Sequence, residues 1–538
     1  MIAYSPARSG ELAASHDGRW IHSRYDPRME AHRFVEREAS TDCTYRAAVI
    51  LGDGLGYLVD AVRKRFPSVR LVWLNYSRDL FDHRVADADA MWSGSGSLEH
   101  FLDHALVEEE SSTLLVLAWE PAARAFPDVA ERCLTALRTM LDRRTAVLAT
   151  EGFFGRRWLR NSVRNALALC SRSSAEPKPA AHHPLSTDSV VIAAAGPSLS
   201  LSLSDLAALP DTTRIWALPS AVSVLLNAGI RPDLVVATDG GAYAIEHLKP
   251  LRGLGIPVAA PLAAALDRPE DDYPIVVLNQ GSWFERDLIG TLRTASISLP
   301  PHGTVAGSAW YLAGAVGVRT VFFVGLDLCS ADLHSHPPGH RFERILWPVA
   351  KRTNPLYTIL YRRSVVGSEV VPGPAPTNPR TGRVIGGRAR ISRSMRVYAQ
   401  WFAEAAPPTD AIRIHPSPVA LRMPEGVLPH GNRTPRVDRT DGLRLTEPGT
   451  PAPLQSAVDR WTKALDLLPK ALRRPPRERS DEEALACDIA RTIETAHYLT
   501  VLRHPQSAGA EALADACRAT IAHCVGRMRQ TNMPGAHP

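Results

Sequence analysis

The stretch VFFVGLDLCSADLHSHPPGHRFER carries the densest chemistry in the chain. An apolar run ends at Asp327, and His334, His336 and His340 follow close behind. Histidine is the natural proton acceptor near neutral pH. Imidazoles beside a carboxylate at a strand end therefore suit proton removal from a hydroxyl. His-x-His spacing also occurs in metal sites, but this run has neither cysteine partners nor a helical register.

Other stretches supply residues that suit an anionic or sugar-like ligand. In AAAGPSLS an apolar run stops at Gly196-Pro197-Ser198-Leu199. Such a turn exposes backbone N–H groups and one hydroxyl, and Pro197 pre-sets its φ. The segment after it, SLSLSDLAAL, opens a helix whose positive end faces the turn. A nucleotide phosphate or ribose fits there, and so does an ordinary strand-to-helix turn. In GIRPDLVVATDGG, Asp239 leaves a strand ahead of two glycines. It suits ribose hydroxyls, an acceptor or a metal, or simply an Asp-Gly turn. In PPHGTVAGSAW, Gly303, Thr304 and Ser308 stand at a helix start, where small hydroxyl residues cap or touch ligand. In LGDGLGY, Gly52, Gly54 and Gly56 follow a strand and precede a helix. They make a candidate second ligand site, for a dinucleotide or S-adenosylmethionine, or a plain structural turn. The next strand ends in Asn75, where an acid would hold the ribose.

The elements that must position these residues alternate strand and helix, which implies doubly wound parallel sheets. The first part reads RAAVILGDG, VRLVWLNYS and STLLVLAW as strands. The middle part reads SVVIAAA, RIWAL, LVVAT, PVAA, PIVVLN and RTVFFVG, nearly continuous apolar runs of the kind covered on both faces. The last part reads as amphipathic helices. Its stripes are Val458, Trp461, Leu465, Leu468 and Leu472; Leu485, Ile489, Ile493, Ala496 and Leu499; and Leu513, Cys517, Ile521 and Val525. Two Pro-, Ser- and charge-rich stretches, 171–188 and 431–456, read as linkers. The expected domains are 1–175, 185–428 and 450–538, the last a small bundle or an appendage on the middle domain.

Bulk properties bound the function classes. The 538 residues carry a formal charge of +6, mild for this length. It suits an anionic small molecule or acidic partner and is not a nucleic-acid footprint. Seven cysteines, none in a CxxC pair, argue against a disulfide framework and fit a reducing compartment. No apolar leader core and no run of about 18 apolar residues occurs. The expectation is a cytoplasmic protein without membrane insertion.

Gly-Pro-Ser-Leu, then AVSVLLNAGIRPDLVVATD, then GTVAGSAWYLAGAVGVRTVFFVGLDL, then His336 with Gly339, together resemble the motility-associated factor (Maf) flagellin glycosyltransferases. They also resemble the wider superfamily of archaeal 6-hydroxymethyl-dihydropterin diphosphokinases (MptE-like). The resemblance covers about 185 to 425. It implies a Rossmann-like N-terminal domain, a central doubly wound α/β domain similar to bacterial sialyltransferases, and a C-terminal helical bundle that meets the protein acceptor. The chain departs from the family pattern at Leu326, Pro337 and His415.

The resemblance implies a donor in which a nonulosonic, sialic-acid-like sugar is joined to cytidine monophosphate (CMP), and a Ser or Thr of flagellin as acceptor. Gly196, Pro197, Ser198 and Leu199 would meet the cytidine phosphate, and Asp239 would line the donor site. His336 would be the base, His334 its reserve, and Asp327 its orienter. No cofactor or metal is obligatory in that reading. The diphosphokinase alternative would need ATP and magnesium. A third reading keeps the fold in a non-catalytic flagellar-assembly partner.

Overall fold

A computed structural model describes residues 1–40, 44–171, 185, 187–266, 273–331, 335–372, 388–404, 408–414, 423–430, 452–504 and 507–531. The chain forms two compact units: 1–156 with 460–523, and 157–459 with 524–538.

The first unit opens with an antiparallel ribbon of β1 (Ile2–Pro6), β2 (Leu12–His16) and β3 (Arg19–Trp20). Its main sheet contains β4 (Ala47–Leu51), β5 (Arg70–Leu74), β6 (Ala90–Trp92) and β7 (Leu114–Ala118), in the order β6-β5-β4-β7 with parallel pairing throughout. β4 is buried along its whole length, which is why it reads as an unbroken apolar run.

Residues 460–523, most of the C-terminal helical stretch, group with this first unit. The amphipathic stripes do not reveal the polar contacts that hold them. Glu109 pairs with Arg479 at 2.6 Å and accepts the Tyr498 hydroxyl at 2.5 Å. Arg46 donates to the carbonyls of Leu472 and Arg474. The first stripe is buried as expected. The second is not. The chain breaks at Glu494 between helices Asp481–Ile493 and Thr495–Arg503, so the register shifts. Cys487, Ala490, Tyr498 and Leu502 are buried there, while Ala496 is exposed. The linker reading at 431–451 and most of 171–188 lies outside the described residues; 452–456 already belong to helix Ala452–Ala464.

The second unit holds an eight-stranded sheet. Its strands are β8 (Ser189–Ala193), β9 (Thr213–Ala217), β10 (Leu234–Val236), β11 (Val258–Pro261), β12 (Ile275–Asn279), β13 (Ile297–Ser298) and β14 (Thr320–Val324), closed by a last strand at Asp410–Arg413. Each of the six apolar runs of the middle part is one of these strands. Between β14 and the last strand lie β15 (Ser330–Ala331), β16 (Ser368–Pro372) and β17 (Arg388–Ser392), a small antiparallel sheet that no periodicity announced. The last strand, Asp410–Arg413, is therefore β18. The large sheet runs β13-β12-β11-β10-β9-β8-β14-β18, all parallel. The winding direction reverses between β8 and β14. In open α/β sheets that reversal opens a crevice at the carboxyl ends of the strands, where ligands bind.

Candidate functional site

Two turns meet at the reversal. The Gly196 N–H donates to the Gly325 carbonyl at 2.8 Å, and the Ser198 N–H to Asp327 Oδ2 at 2.7 Å. A Cβ at Gly196 would stand 2.3 Å from Asp327 Oδ2 and 2.5 Å from the Gly325 carbonyl oxygen. Gly325 has φ 68°, and its Cβ would stand 2.3 Å from the Ala194 carbonyl oxygen. Both glycines are thus required by the close approach of the two strand exits.

This geometry corrects one expectation. The sequence pattern predicts a turn that offers backbone N–H groups to a phosphate. In the structure Gly196 and Ser198 donate to the neighbouring turn, Leu199 donates to the Gly196 carbonyl at 3.0 Å, and Pro197 has no N–H. What the turn retains is the Ser198 hydroxyl, whose oxygen is buried with no partner among the described residues. Asp327, buried, braces the turn. Leu328 beside it holds φ 51°, a left-handed conformation that costs an L-residue roughly 1–2 kcal/mol. Leu326 packs in the core of the unit.

His336 lies on the same turn. Its Nδ1 is 2.8 Å from the Ala195 carbonyl oxygen. A carbonyl only accepts, so Nδ1 carries the proton and Nε2 keeps its lone pair. Burial holds His336 below the usual histidine range, so the ring is neutral at pH 7. The His340 ring stacks on it at 4.0 Å and 17°. His340 Nδ1 accepts the Phe342 N–H at 3.2 Å, capping helix Arg341–Leu346, and its Nε2 is buried with no partner among the described residues. His247, from helix Ala242–Leu248, is 5.0 Å from His340. Burial, then the charge of neighbouring histidines, pushes His340 down to about 2 and His247 down to about 4. Nothing in the sequence pattern points to His247, because a single histidine inside an apolar helix has no period. His334 lies outside the described residues, as does His415.

Asp239 is exposed at the exit of β10, accepts the Gly241 N–H at 2.7 Å, and acts electrostatically on His247. The loops beside it are pinned by two buried amides one helical turn apart on helix Pro127–Ser171. Asn161 donates to the carbonyls of Gly240 and Ala263, and Asn165 to those of Leu262 and Ala264. Both amides fall within 1–175, the stretch whose pattern predicts the first domain.

Gly303, Thr304 and Ser308 form their own cluster. Thr304 caps helix Val305–Ala315 by accepting the Gly307 N–H at 3.0 Å. Ser308 is fully buried and bonded to Gln280 at 3.2 Å. His302, which spacing did not single out, accepts the Thr304 N–H at 2.9 Å, and its ring occupies the space of any Cβ on Gly307. Among the described residues no three His, Cys, Asp or Glu side chains are grouped to hold a metal.

The glycine loop of the first unit is filled by the chain itself. Asp53 accepts the Leu58 and Val59 N–H groups, taking the helix N-terminus where a phosphate would sit. Tyr76 covers Gly52, His22 abuts Gly54, and Asn75 donates to the Gly54 carbonyl. Gly52, Gly54 and Gly56 all have positive φ, which explains the glycines without a ligand.

Comparison with known proteins agrees with this architecture. Residues 161–332 match the protein-family model described as 6-hydroxymethylpterin diphosphokinase MptE-like. Two uncharacterised proteins of Treponema pallidum (strain Nichols) are similar. One is 31% identical over 49% of this chain, the other 25% identical over 36%. The chain spans 57% of the length of the first and 72% of the second. The solved structure of a Maf glycosyltransferase from Magnetospirillum magneticum AMB-1 superposes with a TM-score of 0.59 at 13% identity, covering 100% of this chain and 93% of that one.

Proposed function

On the premise of a Maf-like fold, we propose that this chain transfers a nonulosonic sugar from a CMP-activated donor to a Ser or Thr hydroxyl of flagellin. The observation that carries the proposal is the lone pair on His336 Nε2, held neutral on the turn at the sheet's reversal. The acceptor oxygen attacks the anomeric carbon and gives its proton to His336 Nε2. A new C–O bond forms as the anomeric carbon–phosphate oxygen bond breaks, and CMP leaves with the electron pair. The Ser198 hydroxyl offers the phosphate a donor, and Asp239 meets sugar or ribose hydroxyls. Asp327 acts as a brace for the Gly196 turn by accepting the Ser198 N–H. Transfer from so good a leaving group depends chiefly on positioning and charge stabilisation, and no step above requires a metal.

Calorimetry with CMP and with ATP, each with and without magnesium, tests the reading. Magnesium-independent CMP binding that Ser198→Trp abolishes supports it. Binding of ATP alone, dependent on magnesium, replaces it with a diphosphokinase, the reading that the family model's description favours. Binding of neither nucleotide leaves a non-catalytic partner.

A further inference from the structure

Between β14 and β18 the chain leaves the large sheet on an excursion rooted at His336 and His340. Helix Arg341–Leu346 follows His340 directly, and its Phe342 packs on His247, His336 and His340. Helix Leu356–Val365 packs on that helix and on β16, yet none of its own residues is buried. Trp347, Val349, Tyr357 and Tyr361 are 58, 55, 63 and 47% exposed. Arg352, Arg362 and Arg363 stand exposed among them and form no ion pair with the described residues. Scattered single apolar side chains need no explanation, but a cluster on adjoining elements marks a contact surface. Tryptophan, tyrosine and arginine are the types that dominate binding at protein interfaces.

We infer that the excursion at 341–365 is the docking surface for the protein acceptor, gripping an acidic segment with apolar side chains next to the hydroxyl to be modified. The inference rests on the transferase reading and names how that site receives its acceptor. Two observations select a protein segment as the occupant. The surface begins at the residue after His340, so a chain bound along it is delivered to His336. Its cations are exposed arginines, Arg362 following Tyr361 directly in the chain, and a guanidinium complements a carboxylate bidentately. The C-terminal helices, where the resemblance places the acceptor, instead spend apolar faces and Arg479 inside the first unit.

The test compares wild type with Arg362→Glu/Arg363→Glu and with Tyr357→Ser/Tyr361→Ser, using purified flagellin of the encoding organism as probe. Flagellin binding, sugar transfer and CMP release into water are measured separately. Flagellin affinity is expected to fall about tenfold or more in each variant, with the transfer KM rising to match and CMP release unchanged. Unchanged flagellin affinity in both variants overturns the inference, and so does wild type that binds no flagellin. Binding to phosphatidylglycerol vesicles that the variants lose, with flagellin binding intact, reassigns the surface to a membrane. If wild type releases no CMP, the transferase reading fails, and flagellin binding still judges the surface by itself.

Discussion

At the scale of single residues, the site's chemistry follows from which nitrogen of His336 is occupied. With Nδ1 tied to the Ala195 carbonyl, only Nε2 is available as base. Replacing His336 by alanine is expected to lower sugar transfer about 10²–10⁴-fold with donor binding retained. Steady-state rates and calorimetry on the same protein check this. Because burial lowers the His336 pKa, the neutral ring persists below the ordinary histidine value of about 6.5. The rate should therefore stay flat as pH falls through 6.5 and drop only at the lowered value. A rate profile with its acid midpoint at or above about 6.5 would remove His336 from the role. Exposing the ring by His340→Ala should shift that midpoint upward, since stacked His340 keeps water from it.

At the scale of elements, the turns are built by close approach and by caps. Gly196→Ala places a methyl against backbone and carboxylate that cannot move aside, so the β8 and β14 exits must separate. The expected cost is about 1–3 kcal/mol of stability by denaturant unfolding, with loss of CMP binding. The helix after β4 has glycine at its N-cap, and Asp53 caps it from three residues upstream. Burial raises the Asp53 carboxyl to about 7. The folded state then holds a proton that the unfolded chain, with a pKa near 3.8, releases. Stability from this group is full at low pH and declines as pH rises from about 4 to about 7. Buried His22, pushed down to about 3, works in the opposite sense by resisting protonation. The diagnostic is therefore the difference between wild type and Asp53→Asn, which should shrink stepwise over that window. A difference independent of pH would show the carboxyl ionised in the fold.

At the scale of the whole molecule, the C-terminal helices complete the first unit. Arg479 is almost wholly buried against Glu109, and removing one partner leaves an uncompensated charge. Glu109→Ala should destabilise the chain by about 3–5 kcal/mol, whereas replacing both partners with apolar residues should cost much less. Thermal unfolding of the single and double variants measures the contrast, and equal losses would show that packing alone joins the helices. No helix among the described residues is long and apolar enough to cross a membrane.

The sequence by itself determined the long apolar strands of both main sheets, though not the short β6, β13 and β18, and the stretches that end at the crevice. Burial on both faces leaves an unbroken apolar run, and a run of that kind needs no partner to be recognised. It also marked Gly196 and His336 as residues of interest. Only the tertiary structure decided that the turn's N–H groups serve Asp327 and Gly325, that His247 joins the histidines, and that residues 460–523 fold with residues 1–156. Each of these is a contact between segments far apart in the chain. Local periodicity reports which face of an element is apolar; it holds no information about which distant face will cover it.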